Sequence, residues 1–206
     1  MKKYLIGGIL SLTLLMPWGC NTDDCGDLGG PQYFDITNVV ITNVRLIEDG
    51  YSIEESLAAN SSIPYQRFGL HLMPAADYIS MENHQPGSGL FPAAYACSPM
   101  PPQPTEEIAD IAIFSNTDFI QANSTRVVAA GDTLNSLFNI YDRYSGRIVG
   151  LPDFLVDDHL KASDEGFILQ PAVMPAAEQA HEFTVHYRLT NNEFYSVTTM
   201  PVSLTP

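Results

Sequence analysis

The chain has 206 residues, 45% of them apolar, with 14 Gly and 15 Pro, so it can bury a real core and is punctuated by turn-formers throughout. Its 24 acidic residues stand against 9 basic ones, a formal net charge of −15. A chain of that sign, with no basic run, repels nucleic acid and anionic lipid head groups, which excludes a nucleic-acid partner and favours solubility.

The first stretch, Met1 to Cys25, reads MKKYLIGGILSLTLLMPWGCNTDDC. Lys2 and Lys3 make a basic start, and Tyr4 to Met16 is an uncharged run of 13 residues. That is the length of a signal-peptide core and short of the roughly 20 residues a helix needs to cross a bilayer. Gly19 precedes Cys20, and the arrangement resembles the lipobox of bacterial lipoproteins, although Pro17 and Trp18 stand where that pattern has Leu and a small residue. The alternative is a buried N-terminal helix or strand. The resemblance implies a signal peptide over residues 1–19, cleavage before Cys20 and lipid on its thiol. Several acyl chains anchor stably where one holds weakly. Asp23 and Asp24 look like the surface-export signal of Bacteroidota lipoproteins, and they suit a solvated tether equally. The expected location is the outer membrane, lipid-anchored, at the cell surface or on the periplasmic face.

Cleavage there removes 19 residues and leaves 187. Without Lys2 and Lys3 the mature chain has 7 basic residues against 24 acidic, a net charge of −17. Cys25 and Cys97 remain. Outside the cytoplasm an even remainder suggests a disulfide, which would tie the tether to the domain and stabilise it by about 4 kcal/mol on the chain-entropy view. Two independent thiols are the alternative.

Tyr33 to Ile47, rich in Val, Ile, Thr and aromatics, predicts one long strand or two short ones, with Phe34, Ile36, Val40, Val44 and Leu46 sharing a parity. Asp49-Gly50 marks a turn. Ser52 with Glu55 reads as a capping box before a single helical turn, stopped by Ile63-Pro64. Arg67 to Met73 alternates, with Phe68, Leu70 and Leu72 inward and Arg67, Gly69 and His71 outward. Gln85 to Pro104 holds six prolines and reads as a loop, with Phe91 to Ala96 as a possible edge strand inside it. Glu107 to Phe114 predicts a central strand covered on both sides, Ile111 and Ile113 on one face and Ile108 and Ala112 on the other. Arg126 to Ala130 offers another strand. Leu134, Leu137, Phe138 and Tyr141 fall at helical spacing behind Asp132 as N-cap, which predicts a short helix against a competing strand through 137–141.

Asp153 to Lys161 reads as one helical turn or a loop, Gly166 to Gln170 as a strand and Pro171 to Ala180 as a connection. Glu182 to Leu189 gives the clearest pattern, with Phe183, Val185, Tyr187 and Leu189 on one face. Asn191-Asn192 suits a tight turn, and Phe194 to Leu204 returns as the second arm of a hairpin. Six to eight strands with one or two short helices make an all-β fold, an antiparallel β-sandwich of immunoglobulin-like kind over residues 33–206, behind a tether at 20–32. The disulfide and core tryptophan of antibody domains are missing, so this reading rests on pattern.

The CNTDDCGD start, the YFDITNV strand, the cysteine-and-proline loop before EEIADIAIFSNTDF and the HEFTVHYRLTNNEFYSVTT ending resemble the uncharacterised cell-surface lipoproteins of Bacteroidota of similar length. The resemblance implies a surface-anchored domain of unknown function. It brings no active-site residues with it.

The chemistry-bearing motifs are incomplete. His181-Glu182-Phe183-Thr184-Val185-His186 has one residue more than the zinc-protease H-E-x-x-H, and in a strand its histidines face opposite ways. Gly87-Ser88-Gly89 lacks nucleophile-elbow spacing, and neither S-x-x-K nor a phosphate loop occurs. Asp157-Asp158-His159 with Asp153, Asp164 and Glu165 offers oxygen ligands for a weak Ca²⁺ site but lacks the EF-hand spacing, so a solvated acidic face is the simpler reading. Asp132-Thr133-Leu134 resembles a Bacteroidota O-glycosylation site, which the N-cap role explains more economically. Trp18 leaves with the signal peptide, so a sugar-stacking face would fall to tyrosines such as Tyr51, Tyr65, Tyr78 and Tyr144. The residues point to no catalytic group, cofactor or metal. The expected function is a non-enzymatic binding or accessory module, held to the membrane by its lipid, with a surface protein or glycan as partner. A structural subunit pairing through edge strands is the alternative, and a hydrolase with a site assembled from distant positions the third.

Overall fold

A computed structural model describes residues 33–48, 51–79, 102–124, 126–143, 145–156, 162 and 165–206. Cys20, Asp23, Asp24, Cys25 and Cys97 lie outside the described residues, as do the leader, the tether, residues 80–101, Tyr144 and Asp157 to His159. Tyr33–Ile79 and Pro102–Pro206 form one compact unit.

The unit is all-β. β1 (Tyr33–Leu46) and β4 (Phe68–Ile79) pair antiparallel along nearly their full lengths. β4 then pairs with β11 (Phe167–Pro171), β11 with β9 (Phe138–Asp142), and β9 with β10 (Arg147–Gly150). On the other side β1 takes β2 (Ile53–Ser56) and, in parallel, β5 (Gln103–Pro104).

The second layer is built on the C-terminal hairpin. β6 (Ile108–Ser115) pairs with β13 (Phe183–Leu189), and β13 with β14 (Phe194–Thr198). β12 (Gln179–His181) pairs with β15 (Val202–Thr205), which runs parallel to β3 (Ser61–Pro64). Phe183 N–H donates to Thr199 Oγ1 at 3.1 Å and Thr199 N–H to Phe183 O at 2.8 Å, joining β12–β13 and β14–β15 into the two arms of one hairpin. The order β9–β11–β4–β1 facing β6–β13–β14 is that of the two sheets of an immunoglobulin constant-type sandwich. A two-strand ribbon, β7 (Phe119–Ile120) with β8 (Val127–Val128), and one helical turn, α1 (Leu151–Phe154), complete the unit.

The core lies between the layers. Phe68 stacks on Phe183 at 5.6 Å, and Phe138 meets Phe183 edge-on at 5.9 Å, so one ring bridges both sheets. Each fully buried ring or aliphatic chain here stabilises by about 1.5–3 kcal/mol.

Several local expectations are corrected. In β1, Ile36 opposes Ala76 and Asn38 opposes Ala75, so Thr37 is an extra, bulged residue. The bulge flips the parity: Phe34, Ile36, Val39 and Ile41 point into the core, while Val40 is 43% exposed. Val44 and Leu46 do not share the face of Phe34. They form a second cluster with Ile168 on the sheet's other side, under Ile53 and Tyr141. Gly69 and His71, expected outward, are therefore covered too. Ser52 and Glu55 do not cap a helix, because the segment is strand β2 paired to β1. β6 lies at the edge of its ladder rather than the centre. A register shift opposite Arg188/Leu189 puts Ile108 on the same buried face as Ile111 and Ile113.

The helix expected behind Asp132 is a single 3-10 turn, Asn135–Leu137, followed by strand β9. The cause is Asn135. Its Nδ2 donates to Ile111 O at 2.7 Å and its Oδ1 accepts from Ile113 N–H at 2.9 Å, so the side chain stands in for a neighbouring strand on the open edge of β6. Leu134 N–H adds a bond to Ile113 O at 2.7 Å. Those bonds to a distant strand outweigh a weak local helix preference.

Candidate functional site

The two histidines of the near-zinc motif part company as their strand parity requires. His186 is on the outer face of β13, with the ring of Phe114 at 4.6 Å and that of Phe194 at 5.0 Å. His181 is 1% exposed and stacks against Phe119 and Phe183 at 5.4 and 5.2 Å. Its Nδ1 is 2.8 Å from Ser115 Oγ and 3.0 Å from Thr117 Oγ1, while Thr117 Oγ1 donates to Ala180 O at 2.7 Å. Burial pushes its pKa down to about 4, so the ring is neutral at pH 7. A serine beside a histidine suggests a nucleophile and its base. Here both are sealed in, Ser115 at 4% exposure, and His181 Nε2 has no partner to orient it. The pair ties β6 to the start of the hairpin and offers no substrate a way in.

A different group gathers at one end of the sandwich. Asp35 comes from β1, Glu106 from the residues just before β6, and Glu193 from the turn between β13 and β14. One carboxylate oxygen from each lies within 4.8 Å of the other two. Local bonds fix all three. Asn192 adopts φ 74°, and Glu193 N–H donates to Asn191 Oδ1 at 2.8 Å, which sets the turn. Thr190 N–H donates to Glu107 O at 2.9 Å, binding the turn to the approach to β6. Thr105 donates its N–H and its hydroxyl to Phe34 O at 2.9 and 3.1 Å, binding that approach to β1. Tyr195 closes the ring: its hydroxyl is 2.6 Å from Ile36 O, one residue before the bulge, and 3.0 Å from Glu193 Oε2.

The electrostatics follow from crowding. Glu106 is 9% exposed, and its carboxyl is held above the usual carboxylate range, first by burial and then by its contact with Asp35. Burial, then the bond to Glu193, pushes the Tyr195 phenol up to about 12. Tyr187, at 0% exposure, is raised further, by burial first and then by Tyr195 and Glu106. Its hydroxyl has no hydrogen-bond partner, and neither has Glu106 Oε2. An all-oxygen set of this kind suits a hard cation or a proton held between carboxylates.

No sequence motif pointed to Asp35, Glu106 or Glu193. Of the acidic residues singled out around 153–165, Asp153 lies in the first turn of α1, and Asp157, Asp158, His159 and Asp164 lie outside the described residues. Of the tyrosines, Tyr51 packs on Tyr141 at 5.1 Å and Tyr78 on Phe34 at 6.0 Å.

No protein-family model and no curated protein matches the chain. Among solved structures, a chain titled BspA_C_mut aligns at 13% identity with a TM-score of 0.24, over 82% of this chain and 47% of its own length. This chain thus spans about half the length of that one.

Proposed function

We propose that this protein is a lipid-anchored accessory module of the outer membrane whose immunoglobulin-like domain binds a surface protein or glycan and performs no reaction itself. The observation that carries the binding role is the row of rings Phe114, His186 and Phe194 across the outer face of β6, β13 and β14. Contacts among the rings stabilise the sheet by about 0.5–1.5 kcal/mol each. That gain does not need Phe194 to stand 55% exposed at the end of the row. A flat, partly wet ring surface on a rigid sheet is what a partner can stack against, and the chain's net negative charge disfavours adhesion to anionic lipid. The anchor rests on the basic start, the 13-residue apolar run and Cys20.

Two measurements test the two halves. Cells grown with radiolabelled palmitate should label the wild-type chain and not the Cys20→Ser variant. An unlabelled wild type removes the anchor. Partner capture on intact cells, by cross-linking and on glycan arrays, should fall about tenfold or more for Phe194→Ala, the usual cost of an interface hot spot. Equal capture by that variant removes the ring face.

A further inference from the structure

We infer that Asp35, Glu106 and Glu193 bind a calcium-type divalent cation at the end of the sandwich, independently of the ring face. Three carboxylates bring acceptors only. Among the described residues no Lys or Arg pairs with any of them. The single hydroxyl hydrogen of Tyr195 is shared between two acceptors, Ile36 O at 2.6 Å and Glu193 Oε2 at 3.0 Å, so it cannot satisfy both in full. The Thr105 hydroxyl is shared between Phe34 O and the Glu106 carboxyl. Glu106 Oε2 is buried without a donor, and the carboxyl is eased only by bonds from the Thr105 side chain and the Ile36 backbone, with no cation beside it among the described residues.

Tyr187 supplies a second observation from outside the acidic group. Its hydroxyl is sealed from solvent and lacks a partner, and its ring lies 6.5 Å from that of Tyr195, whose own hydroxyl meets Glu193. A water on a bound cation would accept its hydrogen. The spacing fits: ligand oxygens within 4.8 Å are no further apart than two ligands across an ion with bonds of about 2.4 Å. Glu193 is exposed while Glu106 is buried, so an ion has a way in from solvent and a buried carboxylate at the end of it. Calcium is favoured over magnesium because the set mixes a buried, a half-buried and an exposed carboxylate, and calcium accepts such irregular shells where magnesium demands a near-ideal octahedron.

The test uses the full chain in detergent after EDTA treatment, with Ca²⁺ as the probe and two readouts. These are the thermal midpoint and tyrosine-sensitised luminescence of Tb³⁺ displaced by Ca²⁺. We expect single-site saturation with a Kd of about 0.1–1 mM, the range of extracellular calcium modules. The midpoint should rise with Ca²⁺, Mg²⁺ should bind at least about tenfold more weakly, and the response should disappear in Glu106→Gln and in Glu193→Gln. Glu193 is exposed, so its variant keeps the test decisive if Glu106→Gln folds poorly. Glu55→Gln, which breaks an exposed pair with Arg45, should respond like wild type. Either of two results overturns the inference: no response at about 10 mM Ca²⁺, far above that Kd, or a response kept by both variants, which places the ion on other acids. A chain that ignores Ca²⁺ but gains stability on mild acidification would show a shared proton in its place.

Discussion

His181 carries a pH dependence that its burial makes calculable. In the unfolded chain its imidazole takes up a proton near pH 6.5, and in the folded chain only at about 4. Between those values the unfolded state binds more protons, so stability is full above pH 6.5 and falls as the pH drops towards 4. For a side chain 1% exposed the loss is roughly 3 kcal/mol. His71 behaves alike and also sits at about 4, through burial and then the charge of Arg143, whose Nη1 donates to its Nε2 at 3.2 Å. Thermal midpoints from pH 7 to 4 should decline, and His181→Phe, which keeps a ring between Phe119 and Phe183, should flatten that decline. A wild-type midpoint constant across the window would show both rings to be solvated. The opposite facing of His181 and His186 was legible from their spacing in a strand. The depth of His181 was not, because it is set by Ser115 and Phe119, more than sixty positions away.

Elements were legible where one pattern ran unbroken and illegible where a single residue broke it. The hairpin of β13 and β14 reads directly from Phe183, Val185, Tyr187 and Leu189, all buried, and from the turn at Asn191-Asn192. In β1 an extra Thr37 transfers Val40, Val44 and Leu46 to the other face, and nothing about a threonine in a strand announces a bulge. The segment after Asp132 shows a stronger conflict. Its apolar spacing is helical, but Asn135 spends its side chain on Ile111 O and Ile113 N–H of a strand more than twenty residues back. Asn135→Ala should therefore destabilise, although alanine is the better helix former. It leaves a half-buried donor and acceptor on β6 unpaired, at a cost of about 1–3 kcal/mol. Urea denaturation should show the midpoint shifted with an unchanged slope. A variant as stable as wild type would mean that the edge of β6 is satisfied without Asn135.

At the scale of the whole molecule the all-β class and the acidity were legible because each is a sum over many residues. The acidic end group was not, since strands β1, β6 and β13–β14 must first assemble to bring positions 35, 106 and 193 together. The same sum sets how the fold meets salt. The chain's formal charge of −15 has few opposite charges to balance it. Arg45–Glu55 at 2.8 Å and Arg188–Asp110 at 3.9 Å are both pairs of solvent-facing side chains, each worth roughly 0–1 kcal/mol. Attraction has little to lose to screening, whereas repulsion among the remaining acids acts over a Debye length of about 30 Å at 0.01 M salt and about 8 Å at 0.15 M. The thermal midpoint at pH 7, measured in EDTA so that the end group is kept free of divalent ions, should thus rise by a few degrees between those two NaCl concentrations. Glu55→Gln, or Glu54→Gln, which breaks an exposed pair with Arg67, should alter it little, each removing one repelling charge along with one weak attraction. A midpoint that falls with NaCl would mean that the few cations hold the surface together more strongly than the surplus acids push it apart.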